Sequence, residues 1–497
     1  MKRLIVFSII GLSFLNCINP AGILESSQVD IIITEIMYNR GTDTLEFIEF
    51  KNRSLGRVNI GGYYFSSGIE FQFPDNIILD KDVYFILTNS EELFTKLYPD
   101  VSIAGIFTGR LSNSSESVTL CNLHGNVIAE TEYKDSGFWP AAADGLGFSI
   151  VTVNEENPGD QKDASNWMAS SEINGSPGKP DHGSKGYSIS VNEIVASTFS
   201  DKLDMIELYN PDTEKVDVSN WYLTDDRHDP YKYIIPENSI IEPEGYLVFN
   251  GSMFKSDISV TIAGGQVYLF SASDEILTGY SHGIEYESCD NGDVFGLLEN
   301  SEGECFCTKL EQATPGKTNS SSFSGEIIIT EIMYHPEKGE SEFLEIINRS
   351  EKTIKLFDEY NLNNNWEIKG IGFKFPLFSY IEPKERIVLI DSTMSPEGFR
   401  EKYSVDSTIK VFTYSGKLSN SGETVSIQKP GDEYIDETGL IVVPYQSVDI
   451  VSYKDDYPWP KKADGDGYSL VRKSFSSWGC ESSEWKASDV IGGTPGK

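Results

Sequence analysis

The chain consists of three copies of one sequence pattern, and this repetition constrains its fold more than any other feature. Each copy opens on an apolar run that carries a glutamate, and a second glutamate follows 14 residues later. Each copy closes on Ser/Thr-Pro-Gly-Lys, at residues 176–179, 314–317 and 494–497. The pattern therefore predicts three domains, joined by short Ser/Gly-rich linkers. We call them copy one, copy two and copy three, at residues 28–182, 187–318 and 325–497.

The paired glutamates recur in every copy, and an asparagine always follows the second one after three residues. The pairs are Glu35 with Glu49, Glu193 with Glu207, and Glu331 with Glu345. Paired carboxyl groups can act as the acid and base of a glycosidase. Their fixed spacing on predicted strands favours a structural role instead, in which each glutamate accepts hydrogen bonds from loop N–H groups.

Short runs rich in Ile, Val, Phe, Tyr and Thr fill each copy and alternate with Asn, Gly, Pro and Asp. Residues 83–87, 246–249 and 387–390 are examples. Long helical periodicity is missing, and short helices are the most that residues 90–98 and 396–403 allow. Several short strands in each ~150 residues predict an all-β chain of β-sandwich domains.

Copies one and three share further elements that copy two lacks. A Gly-x-Leu-Ser-Asn-Ser-x-Glu stretch begins at Gly109 and again at Gly416. A Trp-Pro pair then precedes an Ala-Asp-Gly-x-Gly turn, and a second tryptophan follows. The four tryptophans are Trp139, Trp167, Trp459 and Trp485. We predict that they are structural and pack against the end of a sheet. The alternative is an exposed aromatic platform for sugars.

Together these motifs resemble the lamin tail domain, an immunoglobulin-like β-sandwich that also occurs in secreted bacterial proteins. The similarity covers copies one and three from end to end, and copy two at its start and finish. It implies three tandem immunoglobulin-like sandwiches with a binding or tethering role. It brings no catalytic residues to this chain.

The composition limits the possible partners. Acidic residues outnumber basic residues 77 to 40, which gives a formal net charge of −37. Because this charge repels a phosphate backbone, no nucleic-acid partner is expected. The chain is 39% hydrophobic and 12% aromatic. That is enough for well-packed cores and argues against general disorder.

The N-terminus has the order of a lipoprotein signal peptide. Lys2 and Arg3 precede the apolar stretch 4–15, and Cys17 stands where such signals are cut and acylated. The stretch is shorter than the ~20 residues that span a bilayer. We predict that residues 1–17 direct export and that lipid on Cys17 anchors the protein in the cell envelope or at the cell surface. An ordinary secretory signal is the alternative.

Three further cysteines lie close together in copy two, at Cys289, Cys305 and Cys307. In an oxidising compartment this spacing predicts a local disulfide from Cys289 to Cys305 or Cys307. A Cys-Phe-Cys sequence without a nearby second pair lacks zinc-ligand spacing. Because copy two lacks the four tryptophans, we expect it to depend on this bridge.

No catalytic residues and no cofactor are predicted. The five histidines do not recur between the copies and form no His-x-His or His-Glu-x-x-His motif. Asp464 and Asp466 lie in an Asp/Gly loop of the kind that suits Ca²⁺. Copy one has Leu146 in place of Asp466, so a turn common to both copies is the first interpretation and calcium the alternative.

These expectations describe an exported, non-enzymatic array that binds a protein or glycan ligand at the cell surface. Tandem modules give reach and multivalency without new kinds of contact. A structural protein of the cell envelope is the alternative. A third hypothesis is an accessory module of an enzyme system, for instance one with a nuclease or phosphatase.

Overall fold

The computed structural model describes residues 24, 28–181, 183, 187–197, 204–254, 257–435 and 438–497. Each copy folds as a β-sandwich of two main sheets, one of five or six strands and one of three or four. The chain is thus all-β, with three tandem immunoglobulin-like domains. The predicted signal peptide 1–17, with Cys17, lies outside the described residues. Within them, no helix is both long and apolar enough to cross a membrane.

Copy one has a six-stranded sheet in the order β11-β10-β1-β2-β6-β7 and a three-stranded sheet in the order β4-β8-β9. Its strands are β1 Ile31–Met37, β2 Phe47–Asn52, β3 Val58–Asn59, β4 Tyr64–Ser67, β5 Ile78–Leu79, β6 Tyr84–Thr88, β7 Gly105–Ile106, β8 Ser115–Cys121, β9 Val127–Lys134, β10 Ile150–Thr152 and β11 Trp167–Ala169. A short helix, α1 Glu91–Leu97, begins where Ser90 accepts a hydrogen bond from the N–H of Leu93.

Copy two has a five-stranded sheet in the order β18-β13-β12-β21-β22 and a four-stranded sheet in the order β16-β15-β19-β20. Its strands are β12 Ser190–Val195, β13 Met205–Tyr209, β14 Val216–Asp217, β15 Tyr222–Thr224, β16 Tyr233–Ile234, β17 Ile240–Ile241, β18 Tyr246–Asn250, β19 Gly265–Ser273, β20 Ile276–Tyr286, β21 Val294–Glu299 and β22 Cys305–Leu310. Its one-turn helix is α2 Gly251–Phe254.

Copy three repeats copy one, with a six-stranded sheet in the order β30-β29-β24-β23-β35-β36 and a four-stranded sheet in the order β27-β26-β31-β34. Its strands are β23 Ile327–Met333, β24 Phe343–Asn348, β25 Ile354–Lys355, β26 Glu367–Lys369, β27 Phe373–Lys374, β28 Tyr380–Ile381, β29 Arg386–Asp391, β30 Lys410–Tyr414, β31 Gly422–Pro430, β32 Tyr434–Ile435, β33 Ile441–Val442, β34 Tyr445–Lys454, β35 Leu470–Arg472 and β36 Trp485–Ala487. Helix α3 Pro396–Tyr403 begins at the N-cap Ser395.

A bulge in the first strand of each copy decides which side chains face the core. In β1 the pairing with β2 shifts between Ile33 and Glu35, and the first strands of the other copies shift at the same place. Ile33 and Ile36 consequently both face the space between the sheets, within the main core of copy one. Glu35 faces the opposite side of the sheet, directly across from Glu49 on β2.

Copies one and two share a buried apolar interface. It consists of Ala141, Ala142, Phe148 and Ala169 from copy one and Tyr222, Tyr268, Phe270, Ala272 and Leu277 from copy two. At its edge, Arg227 of copy two donates to Asp135 of copy one at 3.0 Å and lies 3.4 Å from Asp144. The two copies are therefore joined by packing as well as by the linker.

Copies two and three are joined mainly by hydrogen bonds. Glu287 of copy two accepts from the N–H and the hydroxyl of Ser447 of copy three, both at 2.7 Å. Ser288 donates to the carbonyl of Tyr445 at 2.9 Å. The rings of Phe306 and Trp478 meet edge to face at 5.5 Å. These contacts come from several elements and fix copy three against copy two.

Candidate functional site

The recurring glutamates hold the closing segment of each copy. In copy one, Glu35 accepts a hydrogen bond from the N–H of Ser176 at 2.9 Å. Glu49 accepts one from the N–H of Gly178 at 2.5 Å. Pro177, between them, has no N–H to donate, so the two carboxyl groups capture the N–H groups on both sides of it. We call the two glutamates and their closing segment the carboxyl clasp.

The same clasp forms in the other two copies. Glu193 accepts from the N–H of Thr314 at 2.9 Å and Glu207 from that of Gly316 at 2.6 Å. In copy three the corresponding bonds run to Glu331 from Thr494 and to Glu345 from Gly496, both at 2.6 Å. The clasp thus explains why the second glutamate and the Ser/Thr-Pro-Gly-Lys closure recur together.

The closing segment approaches the strand glutamates very closely. The residue before it in copy one is Gly175, with φ +80°. A Cβ atom there would lie 2.1 Å from Oε1 of Glu35. In this conformation a side chain at residue 175 would crowd the Glu35 carboxyl group, so glycine suits copy one. Copy two has Ala313 at the corresponding position and keeps the bond from Thr314 to Glu193.

Burial sets the protonation of the clasp. It raises the pKa of Glu35 to about 8 and the pKa of Glu331 to about 7. It also raises the pKa of Glu49, where the neighbouring Glu35 adds to the effect. Two carboxyl groups side by side and out of water do not both ionise easily. Glu35 is therefore mostly protonated at neutral pH.

Enzymes that use a carboxylic acid as a catalyst also place a carboxyl group of raised pKa next to a second carboxyl group. Here, however, Glu35 and Glu49 are each only 1% exposed. Oε1 of Glu35 accepts from Ser149 and Ser176, and the two oxygens of Glu49 accept from Thr34 and Gly178. Oε2 of Glu35 is buried and makes no hydrogen bond. A substrate could reach them only by displacing the closing segment, so the arrangement suits holding a loop rather than cleaving a bond.

The asparagine after each second glutamate ties neighbouring loops together. In copy one the side-chain amide of Asn52 donates to the carbonyl of Asp80 at 2.8 Å. Its oxygen accepts from the N–H of Ser54 at 3.1 Å. Asn210 and Asn348 make corresponding bonds in the other copies. This third repeated polar residue is therefore also structural.

The backbone N–H just before each bulge donates to a side chain, and that side chain differs between the copies. Ile33 donates to Gln161 at 3.2 Å, Val191 to Nδ1 of His282 at 3.1 Å, and Ile329 to Asp449 at 2.8 Å. Sequence reasoning missed these residues because they do not recur. Only Asp449 carries a signal that could have found it, as an isolated polar residue between Val448 and Ile450.

The four predicted tryptophans are buried in pairs. Trp139 and Trp167 lie 6.1 Å apart in the core of copy one, and Trp459 and Trp485 lie 6.2 Å apart in that of copy three. All four are at most 7% exposed. In this position they cannot serve as a surface platform for sugars. Copy two instead packs Trp221 against Tyr187 at 4.7 Å.

The Asp-Gly turns after Trp139 and Trp459 tie back to the first strand. Asp144 accepts from the side-chain amide of Asn39 at 2.7 Å. Asp464 pairs with Nδ1 of His335, also at 2.7 Å, while Asp466 points into solvent. In the part of the chain that the structure describes, no group of three or more His, Cys, Asp or Glu side chains could hold a metal ion.

The disulfide predicted in copy two is not formed. Cys289, Cys305 and Cys307 are all free thiols. Cys289 is buried in the core of copy two, whereas Cys305 is exposed where β22 begins, opposite Glu299 on β21. Close spacing in the sequence suggested a bridge, but the hairpin carries Cys305 away from the core. Copy two is stabilised by its apolar core instead.

Two comparisons with known proteins bear on this chain. The family model described as Lamin Tail Domain matches it three times, at residues 25–135, 183–293 and 320–441. The matches begin near the start of each copy and end before its closing segment. A comparison with curated proteins finds no match.

Proposed function

Because the chain belongs to the lamin tail domain family, we propose that it is a non-enzymatic, lipid-anchored binding protein of the cell envelope. The observation that carries this proposal is the burial of all three carboxyl clasps. The carboxyl clasp, which every copy repeats, is used to close the fold. The surface residues of the copies are not part of this repeated pattern, and surfaces are where binding specificity resides.

The joined copies support a binding role. Copy one packs on copy two through a buried apolar interface, and copy three is held to copy two by hydrogen bonds from several loops. Surfaces on different copies are therefore presented at fixed separations. Such an array can engage a ligand at more than one place and gain avidity. The ligand would be a protein or a glycan, since a charge of −37 opposes nucleic acid.

A structural role in the envelope is the second candidate. The same interfaces favour it, because they make the array stiff enough to act as a spacer. The two candidate functions differ in whether the chain retains a specific component of the cell envelope. The chain without residues 1–17 should capture a specific component from envelope extract if it is a binding protein, and none if it is only a spacer.

The lipid anchor has its own test. The signal-like N-terminus and Cys17 predict that the mature protein carries acyl chains and partitions into detergent. Cys17→Ser should move the protein to the aqueous phase and remove the acyl mass in intact-mass analysis. An unmodified N-terminus beyond residue 17 in the wild type would contradict the anchor and leave the binding proposal standing.

A further inference from the structure

A large groove opens between copies two and three. Its volume is about 1050 Å³, which is at or above the upper end of the ~300–1,000 Å³ of small-molecule sites. Residues 262–263 and 288–291 of copy two form one side. The other side is formed by copy three, with Thr353, Lys355, residues 357–360, Trp366, residues 429–434, Pro444 and Gln446. We call it the inter-copy groove. Its size fits an extended chain segment better than a single small molecule.

An extension unique to copy three builds one wall of the groove. Strands β31 and β34 continue past the length of β8 and β9 in copy one, and the extension at 430–446 carries the small hairpin of β32 and β33. The base of this extension is fixed to copy two, because Tyr445 and Ser447 bond to Ser288 and Glu287. The groove is therefore a product of how the two copies are joined.

The groove carries an excess of negative charge. Five carboxyl groups line it, at Asp290, Asp358, Glu359, Asp432 and Glu433, against the two lysines Lys355 and Lys429. Both lysines are already paired, Lys429 with Asp290 at 3.1 Å and Lys355 with Glu359. A cationic ligand would therefore meet carboxyl groups without a competing free ammonium among the lining residues.

Aromatic rings lie beside these carboxyl groups. Tyr360 is fully exposed and Tyr434 is 40% exposed. Trp366 packs one part of its surface on the core of copy three and also lines the groove. The face of an aromatic ring attracts ammonium and guanidinium groups, and the attraction adds to that of nearby carboxylates.

One lining side chain, that of Gln446, has an oxygen without a hydrogen-bond partner. Gln446 is only 7% exposed, and its Nε2 reaches Oδ1 of Asp290 at 3.5 Å. Its Oε1 is buried and makes no hydrogen bond. An unpaired buried acceptor is costly, and a ligand donor that reached this oxygen would remove the cost. Together with the carboxylates it makes the groove rich in acceptors.

We propose that the inter-copy groove binds a cationic segment of polypeptide, rich in lysine or arginine. Lysine offers three donors and arginine five, and neither side chain accepts. Backbone N–H groups of the same segment can reach Gln446. A neutral glycan would gain nothing from the excess negative charge, and a phosphate-bearing ligand would be repelled. This inference rests on the proposed binding function and names the ligand class of one site.

The test is a binding titration of the full chain with a capped peptide of about ten residues, alternating lysine and alanine, long enough to span ~30 Å when extended. It is run at about 0.15 M salt, where long-range attraction to a polyanion is largely screened. The groove variant is Tyr360→Ala with Asp432→Asn. The matched control, Tyr457→Ala with Asp75→Asn, removes an equally exposed ring and one charge outside the groove.

We expect the groove variant to bind the peptide at least ~10-fold more weakly, in keeping with the lost ring and charge contacts. The control should bind like the wild type. Hydrogen exchange should show protection at residues 353–366 and 430–435 when the peptide is bound. Equal weakening in both variants would show that net charge alone attracts the peptide. Binding of a neutral oligosaccharide in its place would make the groove a glycan site. Either result overturns the proposal.

The outcome is separable from that of the proposed function. If the peptide binds the groove but the chain retains nothing from envelope extract, the ligand class stands and the cell-surface role fails. If an envelope component is retained equally well by the groove variant, the binding function stands and the ligand class assigned to this groove fails.

Discussion

Replacing Glu331 by alanine should release the closing segment of copy three. Glu331 accepts from the N–H of Thr494 at 2.6 Å, from its hydroxyl at 3.0 Å and from the hydroxyl of Ser469. Ser469 is fully buried, so the alanine variant leaves its hydroxyl and the Thr494 N–H without partners. Each unpaired group costs ~1–3 kcal/mol. We therefore expect a local loss of ~2–6 kcal/mol.

Hydrogen exchange of the intact chain measures this loss directly. The Thr494 amide should exchange at least ~30-fold faster in Glu331→Ala, since 1.4 kcal/mol corresponds to about a factor of ten. Glu331→Gln keeps a carbonyl oxygen at the same place and should stay close to the wild type. Glu351→Ala, at a side chain that is 83% exposed, is the control. Unchanged exchange at Thr494 in Glu331→Ala would refute the clasp.

Three further predictions concern stability. Trp459→Ala should lower the free energy of unfolding of copy three by ~3–5 kcal/mol, because it empties a buried site; a denaturant titration that shows no change would contradict the core assignment. Because burial raises the pKa of Glu35 to about 8, folded copy one holds this proton above the unfolded value near 4.5. Its stability should therefore fall as pH rises from about 4.5 to 8, and Glu35→Gln should flatten that slope. Burial lowers the pKa of His282 to about 4, so the protection of the Val191 amide, measured as its exchange rate relative to that of the unfolded chain at the same pH, should fall as pH drops from about 6.5 to 4; unchanged protection over this range would argue against His282 as its acceptor.

Much of the fold could be predicted from the sequence, because the local residue pattern of these segments matches the place that they take in the folded chain. The buried run at residues 387–390 forms the centre of β29, covered on both faces. Helix α3 lies where Ser395 and Pro396 supply an N-cap and first turn. These elements are determined by residues that are close to one another in the chain, and such patterns are visible in the sequence.

The bulge and the contacts between copies were not predicted, because both depend on register and on distant partners. A bulge adds one residue to one strand and leaves no mark in composition. The interface between copies one and two, by contrast, can be recognised in the sequence once the structure is known. Copy one has Ala141 and Ala142, which are covered by copy two, where copy three has the exposed Lys461 and Lys462. Leu146 packs on the same interface, and its counterpart Asp466 faces water.

The disulfide expected between Cys289 and Cys305 or Cys307 shows the limit of arguing from spacing. Proximity along the chain says little when an intervening hairpin sets the direction of each side chain. The same limit applies to the inter-copy groove. Its two sides are separated in the sequence by the start of copy three, and only the docking of the copies brings them together.

The most direct test of the account is saturation binding of the chain, without residues 1–17, to cell-envelope vesicles at about 0.15 M salt. Labelled chain is titrated against the vesicles, with unlabelled chain as competitor. We predict saturable binding that the competitor displaces and that heat-unfolded chain does not show. Absence of saturable binding, together with turnover of a nuclease or phosphatase substrate by the purified chain, would contradict the central claim that this protein acts by binding.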